Sequence, residues 1–76
     1  MTAKKHVQQA LTRTRDLGCE CSAEKHGRSG HYKLTATKDG VTIEVPISGT
    51  PKQADSCVNM VIQMLRRRFL ERGIEL

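Results

Sequence analysis

The residues best suited to chemistry lie in one short stretch, His26-Gly27-Arg28-Ser29-Gly30-His31-Tyr32-Lys33. Imidazole exchanges its proton near neutral pH, so two histidines flanking a glycine-rich turn are a candidate acid and base. In RNA cleavage a base takes the proton of the 2′-hydroxyl and an acid protonates the leaving oxygen. His31 is the candidate catalytic residue, and Arg28 and Lys33 beside it are candidate phosphate contacts. The plain alternative is a pair of solvated histidines flanking a loop. A zinc set of Cys19, Cys21, His26 and His31 is conceivable on paper. However, C-x-C is not the usual C-x2-C knuckle, and no second pair stands at matching spacing. The cysteines are therefore expected as small buried hydrophobes, and neither metal nor cofactor is expected.

The elements that hold these residues follow from periodicity. Val7, Ala10, Leu11, Thr14 and Leu17 recur at helical spacing, with Thr2 as an N-cap and Gly18 as a left-handed stop. The polar face of this helix carries Lys4, Lys5, Arg13 and Arg15. Residues 19–25, 31–38 and 41–47 alternate apolar and polar side chains, the signature of strands with one buried and one open face. Asp39-Gly40 is a strong hairpin signal, and Pro46 places the third strand at an edge. The turn sets a register in which Leu34 meets Val45, Ala36 meets Ile43 and Thr35 meets Glu44. A four-residue loop at 27–30 likewise sets Glu24 against Lys33, Ser22 against Thr35 and Cys21 against Ala36. Thr50, Pro51 and Gln53 read as a capping box opening a second helix, whose stripe runs Ala54, Cys57, Val58, Val61, Leu65, Phe69 and stops at Gly73. The expected fold is α+β, a two-layer sandwich in α-β-β-β-α order. Its three-stranded antiparallel meander carries both helices on one face.

In that register His26 and His31 face each other on the open side of the sheet. His31 also lies opposite Ser48, near the start of the second helix. A helix N-terminus attracts anions, and Lys52 adds charge there.

The 76 residues make a single domain, and 37% apolar residues suffice for one small core. A core of this size leaves a margin that a homodimer contact or a bound partner would augment. No stretch spans a bilayer or forms a signal-peptide core, and three cysteines fit reduced thiols, so a cytoplasmic setting is expected. A net charge of +5 favours a polyanionic partner. Arg66, Arg67, Arg68 and Arg72 crowd the end of the second helix, and Arg66 and Arg67 are candidate phosphate contacts. With one Tyr and one Phe, a base-stacking platform is disfavoured.

Gly30-His31-Tyr32-Lys33, Val45-Pro46 and Phe69-Leu70-Glu71-Arg72-Gly73-Ile74 together resemble the HicA-type mRNA interferase toxins and their phage-encoded relatives. The resemblance implies a fold like that of double-stranded-RNA-binding domains. It also implies metal-independent RNA cleavage with the turn histidine, here His31, as the catalytic residue, and an antitoxin as partner. Ser29 and Gly30 are exchanged relative to the family's G-S-H turn, and Cys19 replaces an aromatic. The run Thr50-Pro51 through Asp55, with Asn59 and the paired arginines, is closer to the uncharacterised phage relatives. Three readings result: a small nucleic-acid-binding protein, RNA before DNA, using Arg28, Lys33, Lys52, Arg66 and Arg67; a ribonuclease using His31; or an interaction factor that occupies a host protein.

Overall fold

A computed structural model describes residues 4–26, 31–49 and 52–76, apart from the side chain of His26. The elements are α1 (Lys5–Asp16), β1 (Glu20–His26), β2 (His31–Lys38), β3 (Val41–Ile47) and α2 (Ala54–Glu71). The sheet is antiparallel in the order β1-β2-β3, and both helices pack on one face, α1 chiefly over β1 and α2 over β3. This is the α+β sandwich that the alternation predicts.

The β2–β3 turn has positive φ at both Asp39 (52°) and Gly40 (79°). That is the backbone of a two-residue hairpin whose twist matches the strands it joins. It sets the register Leu34↔Val45, Ala36↔Ile43 and Thr35↔Glu44, as expected. The β1–β2 register, Cys21↔Ala36, Ser22↔Thr35, Glu24↔Lys33 and His26↔His31, also matches the reading from loop length. Leu34, Ala36, Ile43, Val45 and Ile47 point into a core completed by Val7 and Ala10 of α1 and by Val58, Val61, Ile62, Leu65 and Phe69 of α2.

Both helices end in the same device. Gly18 (φ 87°) and Gly73 (φ 79°) turn left-handed. Gly18 N–H donates to Arg15 O and Cys19 N–H to Thr14 O; Gly73 N–H donates to Leu70 O and Ile74 N–H to Phe69 O. These paired bonds satisfy the last carbonyls of each helix, and the residue after the glycine, Cys19 or Ile74, is buried beneath it.

The helix starts differ from expectation. Lys4, not Thr2, holds the N-cap of α1, and it makes no side-chain cap bond. Thr2 lies outside the described residues. The chain enters α1 through tertiary contacts instead: Lys4 Nζ donates to Gly49 O at 2.7 Å, and His6 Nε2 donates to Ser48 O at 2.7 Å. Burial of His6 at 7% exposure was not signalled by the apolar spacing. α2 starts at Ala54 with Gln53 as N-cap, so Gln53 is not the third helical residue of a capping box. Thr50 and Pro51 lie outside the described residues. The physical reason is that Gly49 is still buried against Lys4, so the chain must cross from sheet to helix layer before it can coil.

The Ser48 carbonyl that takes the His6 ring N–H is part-buried. Replacing His6 with Ala should therefore cost about 1–3 kcal/mol, the price of an unsatisfied part-buried acceptor. A urea unfolding curve measures this; an unchanged midpoint would contradict it.

Candidate nucleic-acid interface

The two faces of the sandwich carry opposite charge. On the open face of the sheet, β1 presents Glu20, Ser22 and Glu24, β2 presents His31, Lys33, Thr35 and Thr37, and β3 presents Thr42, Glu44 and Pro46. Lys33 is the one lysine in this set, and its Nζ lies 3.8 Å from Glu44 Oε2. Thr37 and Thr42 share a hydroxyl hydrogen bond at 3.0 Å. The helix layer is the reverse. Lys4, Lys5, Arg13 and Arg15 stand against Asp16 on α1, and Lys52, Arg66, Arg67, Arg68 and Arg72 against Asp55 and Glu71 on or beside α2.

Packing of the helices turns this charge into a groove. Lys5, Gln8, Gln9, Thr12 and Arg13 of α1 face Asp55, Val58 and Asn59 of α2 across an open cleft. It continues past Arg13, Asp16, Leu17, Ile62 and Arg66. Arg13 Nη1 donates to Asn59 Oδ1 and bridges the two helices. Arg13 and Arg66, 53 positions apart in the chain, thus line one channel with amide side chains able to donate or accept.

The sequence candidates are distributed unevenly over this geometry. Arg66 is exposed in the groove and donates to Leu76 O at 3.3 Å, and Arg67 is exposed beside it. Lys52 is exposed just before the N-cap of α2. Asp55 occupies the first turn there and answers the helix dipole with the protein's own carboxylate, so the anion site expected at this terminus is already partly compensated. Arg28 lies outside the described residues. His31 is exposed at the start of β2, its backbone paired with His26, on the acidic face with Lys33. Ser48 is the next position beyond the last β2–β3 pair, Tyr32↔Ile47, as the register required. Arg68 belongs to the scaffold: its Nη1 donates to Glu44 O at 2.7 Å. The α1 half of the groove, Lys5, Gln8, Gln9 and Arg13, was missed as a site. Its only signal was the basic polar face of the first helix, which periodicity cannot orient toward a partner helix.

The cysteines sit away from the histidine stretch. Cys19 is buried, and Cys21 is half-buried with its Sγ donating to Leu11 O at 3.3 Å. Their strand positions face the helices, whereas His31 faces the other way. Among the described residues no group of three or more His, Cys, Asp or Glu is placed to hold a metal ion. No described helix is long and apolar enough to cross a membrane.

Burial pushes both thiols above their ordinary value of 9.0, with Lys38 drawing Cys19 back and Arg15 drawing Cys21 back. Unfolded thiols then ionise at lower pH than folded ones. This contribution to stability is complete below about pH 9 and is lost as the pH rises through the raised values. Between about pH 8 and 10 the unfolding midpoint of the native chain should fall more steeply than that of the Cys19→Ala/Cys21→Ala variant. Parallel pH profiles would refute the assignment.

Compared with models of protein families, with curated proteins and with solved structures, the chain matches none.

Proposed function

We propose that this chain is a small nucleic-acid-binding protein of HicA-like fold, phage- or prophage-encoded, that takes RNA against its helix layer. The observation that carries the reading is the segregation of charge. The cations gather on the helices and along the α1–α2 groove, while the open sheet face holds Glu20, Glu24 and Glu44. A phosphate backbone is attracted to the first surface and repelled from the second. Both aromatics serve the core, Phe69 fully buried and Tyr32 packed half-buried against it, so no stacking platform for single strands is available. Contacts to phosphate and ribose then dominate, giving salt-dependent binding with little base specificity. The likeness to the toxins favours RNA over DNA.

Charge reversal at Arg66 and Arg67 should weaken RNA binding at least tenfold and flatten the plot of log affinity against log salt by about 2. Fluorescence anisotropy with a labelled duplex over a salt series reads both quantities. Glu in place of Lys33 should change either far less, because that lysine lies on the acidic face beside Glu44. Equal losses from the two faces would overturn the docking side.

The exposure of His31 and its register opposite His26 favour one second reading, a metal-independent ribonuclease. Here His31 acts as acid or base on the 2′-hydroxyl chemistry. Cleavage of RNA in the presence of a chelator should then drop about a hundredfold or more in His31→Ala, with the fold unchanged by circular dichroism. Cleavage that survives this substitution removes His31 from the role.

A further inference from the structure

The two edges of the sheet are not equivalent. The Asp39-Gly40 turn is closed by the pair Lys38↔Val41, so hydrogen-bonded and non-bonded pairs alternate from there. Thr42, Glu44 and Pro46 consequently turn their main-chain groups out to the β3 edge. That edge is blocked twice: Pro46 has no N–H, and Arg68 holds the Glu44 carbonyl. Carried across β2, the same alternation turns the amides of Glu20, Ser22 and Glu24 inward, and those of Cys19, Cys21, Ala23 and Lys25 outward at the β1 edge. Cys19 N–H is taken by Thr14 O. The main-chain groups of Cys21, Ala23 and Lys25 face outward where the sheet stops.

We propose that the β1 edge accepts an extended peptide segment of another protein, one alternating basic and small apolar residues. On the helix side, half-buried Cys21, Ala23 and Leu11 pack against the core beside the outward amides, with the Arg15 side chain on Cys21. On the open side, exposed Glu20 and Glu24 stand where cross-strand neighbours of opposite charge would be favoured. A second copy of this chain does not fit. α1 packs chiefly over β1, so pairing two β1 edges would bring two α1 axes to about one strand spacing, ~5 Å, where packed helices need 8–10 Å. A bare strand has no helix to collide, and α1 roofs it. The proposal is independent of the RNA reading, since the outward β1 amides take no part in the groove.

The test is a titration of ¹⁵N-labelled protein with a blocked heptapeptide alternating Lys and Val. A version with Glu for Lys, and one N-methylated at alternate backbone nitrogens, serve as controls. Saturable shifts centred on the amides of Cys21, Ala23 and Lys25 are expected, and N-methylation should abolish them. The Lys peptide should bind about tenfold tighter than the Glu peptide, with the preference reversed in Glu20→Lys/Glu24→Lys. The net charge of +5 repels a cationic peptide overall, so such a preference reports local recognition. Shifts confined to the helices or β3, no saturation at millimolar peptide, or indifference to N-methylation would each overturn the proposal. So would concentration-dependent dimerisation through the β1 amides.

Discussion

The two-residue turn at Asp39-Gly40 governs more of this molecule than any other local feature. Two consecutive positive φ values close the hairpin on one pair of residues. From that pair the alternation of hydrogen bonds along three strands is fixed. It decides which side chains reach the helices, which remain on the open face, and which main-chain groups look outward at each edge. A shift of one residue would exchange Leu34, Ala36, Ile43 and Val45 with Lys33, Thr35, Thr42 and Glu44, burying charge in the core.

A narrow sheet under two helices has a second effect. Three strands span about 10 Å between outer axes, roughly the separation of two packed helices, so each helix sits over an edge strand rather than over the middle. That brings the C-terminal half of α2 beside β3, where Arg68 can reach the Glu44 carbonyl, and α1 beside β1, where Leu11 O meets Cys21. It also opens a cleft between the helices on the outer surface. The basic residues spaced along each helix therefore converge there.

Much of this was legible in the sequence because the informative signals are local. Alternation in residues 31–47, the Asp-Gly turn, and the glycines after each helix each act within a few residues, and the structure realises all of them. The helix starts were not legible for the opposite reason. A Thr-Pro-x-Gln pattern argues for a cap only while nothing distant competes, and Lys4 holding Gly49 is such a competitor across 45 positions. The burial of His6 and the pairing of Arg13 with Asn59 belong to the same class, being settled by the packing of elements far apart in sequence. The arginine run was legible as charge but not as three different jobs. Only the structure separates Arg68, which secures an edge, from Arg66 in the groove and Arg67 beside it.

The bonds from Lys4 and His6 to Gly49 and Ser48 also order events in time. The first turn of α1 has no acidic residue and no side-chain cap, and an isolated helix of twelve residues is marginal in water. Its anchors are Ser48 and Gly49, just after β3, which leave the ribosome more than forty residues later. On a growing chain α1 thus lacks these two bonds while the meander is being made. The two residues that follow β3 then arrive to settle the first turn of α1.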